Sequence, residues 1–251
     1  MKRVILALLV VFIFDTLLYA KDKPQLLLYC GITMYQPIKK ISNLIEKKYH
    51  CKINIIQGGS KDLYDSIKFS KMGDIFLPGS ESYVKQCEKD KIIMDKRLVG
   101  YNQAAIFIQK DNPKNIKGLD DLLREDISTI LCDPQSGSIG AMTEKILKKF
   151  KGEDFFNKAY AKAVEIGTDS RNLNSVLIDK QADMTINWIA TAYWKENRKF
   201  IDIIKLDDKL APKQKLVISI LKFTKYPDIA KAIIEYASSK NGMKIMKGYG
   251  F

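Results

Sequence analysis

Four short segments of this chain put small residues and hydroxyls where an apolar run gives way to an amphipathic one. They are Gly31-Ile32-Thr33, Gly58-Gly59-Ser60, Ser136-Gly137-Ser138 and Asp169-Ser170. The first amides of a helix have no intrahelical acceptor, and that end carries about half a unit of positive charge. Such an end holds an anion without a lysine, and a Ser or Thr hydroxyl adds a donor that brings no counter-charge. One Ser or Thr at a helix start is an ordinary N-cap, worth about 1 kcal/mol. The recurrence at four strand ends predicts a shared anion site. Gly58-Gly59 fits neither the dinucleotide fingerprint nor the phosphate loop.

Other chemistries find little support. The single His50 excludes zinc sites built on several histidines, and Cys30, Cys51, Cys87 and Cys132 match no zinc spacing. His50 and Cys51 are neighbours in sequence, but a catalytic pair must meet in space with its base oriented by a third group. His50 follows Lys47-Lys48 at a helix end and reads as a surface residue. Asp120-Asp121 and Glu125-Asp126 read as a solvated helix end rather than an acid–base pair. No nucleophile elbow or metal triad is present, so an enzyme is not expected and no cofactor is implied. Trp188 and Trp194 read as core or cleft-wall aromatics. The four cysteines permit two disulfides in three pairings, or four buried thiols.

The elements that must position these turns alternate. Strands are expected over Leu26–Cys30, Cys51–Ile56, Asp74–Leu77, Ala104–Gln109, Thr129–Cys132, Ala163–Ile166, Met184–Trp188 and Leu216–Leu221. Helices follow most of them: Ile38, Ile41, Leu44 and Ile45 line one, and Ile139, Met142, Ile146, Leu147 and Phe150 another. The final helix runs from Ile229 to about Met246, with a break near Asn241-Gly242. Such alternation means parallel sheets covered by helices, an α/β class, with ligands at the carboxyl ends of the strands.

With 251 residues the chain allows one large domain or two small ones, at roughly 150 residues per domain. Met1 to Ala20 reads as an export signal: Lys2 and Arg3, an apolar run over Val4–Phe14, and a small residue before Lys21. The run is shorter than the about 20 residues a membrane span needs. The formal charge is +13. Cleavage after Ala20 removes Lys2, Arg3 and Asp15, a net loss of one positive charge, and leaves +12. That balance favours anionic partners. The lysines are spread evenly, without an arginine-rich stripe, so nucleic acid is not expected.

At its turns the chain resembles the periplasmic molybdate-binding proteins of ABC importers, a family of two-lobed solute-binding proteins. Leu27–Ile38 is similar to the family's first strand, ligand turn and helix, with Thr33 in the place of a ligand Ser. Gly59-Ser60-Lys61-Asp62-Leu63 is similar to its Ser-Gly-x-Leu turn, with Ser60 as the second hydroxyl. Gly73–Ser80 resembles its Ala-Asp-Val-Phe strand. Asp133–Gly140 resembles the first turn of the second lobe, where Ile139 takes the place of a backbone donor. Asp169-Ser170-Arg171 resembles Asp-Val-Arg, with Ser170 as donor. Ile186–Ala192 matches the strand with the family's ligand Tyr, and Trp188 stands there instead. The ending Tyr249-Gly250-Phe251 is also similar.

The resemblance implies a two-lobed α/β fold, each lobe a mostly parallel sheet flanked by helices, with a ligand cleft between lobes. The expected lobes are 21–103 with 222–251, and 104–221. The implied function is capture of a small oxyanion, molybdate or tungstate-like, for an inner-membrane ABC permease by a monomeric periplasmic protein. The implied ligand set is Thr33, Ser60, Ile139, Ser170 and Trp188, with Ile32, Gly59, Ser138, Arg171 and Asn187 beside them. A small organic anion, a thiophilic metal or metalloid on Cys30 and Cys132, and service to a membrane sensor are the other readings.

Overall fold

A computed structural model describes residues 23–251; the predicted export signal lies outside the described residues. The chain builds β1 (Gln25–Gly31), α1 (Tyr35–Tyr49), β2 (Lys52–Gly58), α2 (Ser60–Ser70), β3 (Ile75–Leu77), α3 (Glu81–Lys89) and β4 (Ile93–Asn102). It continues through β5 (Ala104–Gln109), β6 (Ile130–Cys132), α4 (Ser138–Lys162), β7 (Glu165–Gly167), α5 (Ser170–Ile178) and β8 (Met184–Trp188). Then come β9 (Ile201–Lys205), β10 (Gln214–Leu221), α6 (Pro227–Ser238) and α7 (Lys240–Gly248). Short 3-10 turns occupy Ile32–Met34, Leu119–Leu123 and Ile189–Tyr193.

The first sheet has the order β2-β1-β3-β10-β4. Its first three strands are parallel, and β10 and β4 run against their neighbours. In the second half β6 and β7 pair in parallel, while β5 pairs antiparallel with β8 and β9. A single parallel bridge, Thr129 with Met184, joins the two groups. The resulting order, β7-β6-β8-β5-β9, repeats the direction pattern of the first sheet. The fold is therefore two α/β lobes with mixed sheets, in which only three neighbouring strands per lobe pair in parallel. Residues 214–221, expected in the second lobe, form the fourth strand of the first sheet.

Each lobe has its own core. Leu26, Leu28, Ile53, Ile75 and Ile218 of the first sheet pack on Ile38, Ile41 and Ile45 of α1 and Ile233 and Ile234 of α6. Ile106, Leu131, Met184 and Ile186 pack on Ile139, Ile146, Leu147 and Leu173 in the second. α1 ends at His50, an exposed residue with φ +50°, a left-handed conformation in which His is enriched. α4 is kinked at Lys151-Gly152, where Gly152 takes φ +83°. The C-terminal helix breaks at Ser239, whose hydroxyl accepts from Gly242 N–H and caps α7.

The chain leaves the first sheet at Gln103 and returns through residues 206–213. The Gln103 side chain ties these crossings together, donating to Asp208 Oδ1 at 2.7 Å and to the Ala211 carbonyl at 2.8 Å. Asp121 accepts from the Lys117 and Gly118 amides, and Arg124 bridges it to Asp126, so this acidic cluster serves a helix end. Among the described residues no helix is long and apolar enough to cross a membrane.

Candidate functional site

The carboxyl ends of six strands, three from each sheet, surround one cavity. The first sheet contributes Gly31, Ile32 and Thr33 after β1, Gly58, Gly59 and Ser60 after β2, and Gly79 after β3. The second contributes Gly137, Ser138 and Ile139 after β6, Thr168, Asp169 and Ser170 after β7, and Trp188 at the end of β8. The cavity leaves about 30 Å³ for the centres of oxygen-sized atoms. Thr33, Ser60, Ile139, Ser170 and Trp188 are all buried.

Helix geometry explains the donors. α2 and α4 begin after Gly59 and Gly137, which have no side chain to cap them. Their first amides, which lack intrahelical acceptors, face the cavity end. α5 is capped differently: Asp169 Oδ1 accepts from the amides of Arg171 at 2.7 Å and Asn172 at 3.1 Å. That cap leaves the Ser170 amide as the uncommitted donor of this turn.

The hydroxyls are oriented by the protein. Ser60 Oγ accepts from the Gly79 amide at 2.9 Å, and Ser138 Oγ accepts from the Trp188 indole at 3.3 Å. A hydroxyl that accepts from an N–H keeps its own hydrogen for another acceptor, and Ser60 and Ser138 both line the cavity. Thr33 Oγ1 lies 2.9 Å from Met34 Sδ, a weak acceptor. Among the described residues no lysine or arginine lines the cavity. The wall therefore offers neutral donors, with one carboxylate, Asp169, whose oxygens are taken by its own helix and by Arg171 at 3.3 Å.

The two halves meet closely. A Cβ on Gly59 would stand 2.6 Å from the Ser136 carbonyl oxygen, and a Cβ on Gly79 would stand 2.5 Å from Ser138 Oγ. Glycine at both positions is what lets the first sheet's turns approach those of the second. Ser136 Oγ also donates to the Thr168 carbonyl at 2.7 Å, which ties the β6 and β7 turns to one another.

Eight of the ten residues singled out from sequence line the cavity: Ile32, Thr33, Gly59, Ser60, Ser138, Ile139, Ser170 and Trp188. The other two lie outside it. Arg171 is exposed and lines a neighbouring groove with Ile32, Tyr35, Gln36, Gln57, Trp194 and Glu196. Asn187 is buried behind the site, where its amide donates to the Ser170 carbonyl at 3.0 Å and to Asn174 Oδ1 at 2.9 Å. Its Oδ1 accepts from the Trp188 amide at 2.8 Å. With its polar atoms committed, Asn187 positions the α5 turn. Gly79 was not foreseen at the cavity.

The thiol reading loses its geometry. All four cysteines are free and buried. Cys30 sits in the first core and Cys132 in the second, and neither lines the cavity. Burial pushes the Cys132 thiol up to about 11 and raises Cys30 further.

Two mixed sheets, each with a helical cover, meeting over a donor-lined cavity define a two-lobed binding protein. Residues 26–251 match the bacterial extracellular solute-binding proteins, and the chain belongs to that family. It is a solute-binding protein of the type that serves ABC transporters. A candidate binding protein of Haemophilus influenzae strain Rd is 25% identical over 233 residues, 93% of both chains. The sulfate-binding protein SubI of Mycobacterium tuberculosis H37Rv superposes with a TM-score of 0.79 at 17% identity, covering 91% of this chain and 86% of that one. The Azotobacter vinelandii periplasmic molybdate-binding protein gives a TM-score of 0.74 at 14% identity, covering 90% and 97%. At these identities the likeness is one of fold.

Proposed function

We propose that this protein captures a small tetrahedral oxyanion of the molybdate, tungstate or sulfate kind between its lobes and delivers it, as a monomer, to an inner-membrane ABC permease from the periplasm. The observation that carries the reading is the cavity wall: six strand ends aim amides and oriented hydroxyls at one small void, with no cationic side chain among them. A void of about 30 Å³ for atom centres takes a ligand of a few heavy atoms and no large organic group. Thr33, Ser60, Ser138, Ile139 and Ser170 are the donors of this reading, and Trp188 closes the wall. Because the donors come from both lobes, an anion stabilises the closed form by bonding to the two at once. Discrimination follows from cavity size and from donors left unpaired around a wrong anion.

The neighbouring groove of Ile32, Tyr35, Gln57, Arg171 and Trp194 favours a second reading, an oxyanion that carries a small organic group. One screen separates the two. A bound ligand raises the melting temperature by mass action. Molybdate, tungstate or sulfate is expected to do so and a phosphorylated carboxylate is not. A shift with the carboxylate alone supports the second reading, and no shift with any of them overturns both.

A further inference from the structure

We propose that the edge of the first sheet opposite the cavity is a docking surface for the anionic phospholipid headgroups of a bilayer. β1 and β3 begin at this edge and β10 ends there, whereas the cavity lies at the carboxyl ends of β1, β2 and β3. A groove of about 430 Å³ runs along it, and Lys71, Met72, Phe223 and Lys225 are among its walls. Just before it, at the end of α2, Phe69 is 93% exposed, and Met72 is 60% exposed. An aromatic side chain so fully in water, next to a second exposed apolar residue, marks an interaction surface.

The charges around these apolar tips are positive. Lys71 and Lys225 make no ion pair among the described residues, and Lys222 Nζ lies 5.7 Å over the Phe223 ring. The one acidic residue of the groove, Asp74, is buried and committed to the Leu27 amide and the Thr224 hydroxyl. Aromatic and methionine tips ringed by lysines suit the boundary between acyl chains and negative headgroups. The net positive charge of the chain favours the approach. A molecule resting on this edge keeps its cavity turned away from the bilayer.

The test is sedimentation of the protein, as recovered from an exporting host, with phosphatidylcholine vesicles that contain or lack phosphatidylglycerol. At low salt, binding is expected to be roughly tenfold stronger with phosphatidylglycerol present. Phe69→Ser with Met72→Ser, and Lys71→Gln with Lys225→Gln, are each expected to weaken it roughly tenfold without lowering the melting temperature. Lys195→Gln with Lys199→Gln, on exposed positions of the second lobe, is expected to leave it unchanged. Equal binding to both vesicles, wild-type binding by the edge variants, or an equal loss in the second-lobe pair overturns the proposal. So does normal vesicle binding by edge variants that have lost solute uptake, which would assign the face to a protein.

Discussion

Trp188 Nε1 donates to Ser138 Oγ at 3.3 Å. The indole N–H is thus spent on a neighbouring hydroxyl, and both residues line the cavity. Ser138→Ala is expected to weaken oxyanion binding by about 1.5–3 kcal/mol, the usual value of a hydrogen bond to a charge. Trp188→Phe keeps most of the wall but frees the hydroxyl to rotate, so a smaller loss is expected. In the Ser138→Ala background Trp188→Phe is expected to add little. Titration calorimetry on the single and double variants checks this. Additive losses would mean that the indole meets the ligand itself.

Ser60 acts across the first lobe's turns. Its hydroxyl accepts from Gly79 N–H at 2.9 Å, while the N-cap of α2 is Gly59. Ser60→Ala therefore removes the hydroxyl proposed as a ligand donor and leaves the buried Gly79 amide without its acceptor. Binding is expected to fall by about 1.5–3 kcal/mol, and the unliganded protein to lose about 1 kcal/mol. Urea unfolding without ligand measures the second effect separately from the first.

Gly59 tests the closure. A methyl group there meets the Ser136 carbonyl, a backbone atom of the opposite lobe, at 2.6 Å. Only separation of the lobes relieves such a contact. Gly59→Ala is expected to bind the oxyanion at least roughly tenfold more weakly, with both cores intact and the unliganded melting temperature nearly unchanged. Small-angle scattering is expected to show that added ligand no longer compacts the variant. Full compaction with ligand would refute the steric argument.

The turns were legible because each joins a buried apolar run to an amphipathic one, a pattern written in adjacent residues. Gly79 was not, because Pro78-Gly79-Ser80 reads only as the end of a strand. Its place becomes clear from topology: β3 is the third parallel strand of its sheet, as β8 is of the other, so Gly79 and Trp188 arrive at the cavity by equivalent routes. β4 and β9 went unread for another reason. Both are edge strands, and Asp95, Lys96 and Arg97 or Asp202 and Lys205 break the apolar run that marked the inner strands. Asn187 and Arg171 lie next to cavity residues in sequence, but side-chain direction separates them from it, and sequence spacing does not record that.

Cys132 is one of several buried thiols, with Cys30 and Cys87, that lower the stability of the fold at alkaline pH. Burial holds its thiol at about 11 in the folded chain against 9.0 unperturbed. The Tyr160 hydroxyl donates to the Cys132 carbonyl at 2.7 Å, beside the buried sulfur. Between these two values the folded protein keeps a proton that the unfolded chain releases, so stability is whole below about pH 9 and falls as pH rises through the window. The loss attributable to Cys132 is on the order of 2 kcal/mol at pH 11. Cys87, pushed by burial to about 12, acts in the same direction. Urea unfolding at about pH 8 and about pH 10.5 is expected to show a smaller decline for Cys132→Ala than for the wild type, although the variant starts lower because it leaves a void. Parallel declines would show that the Cys132 thiol does not contribute to the alkaline loss.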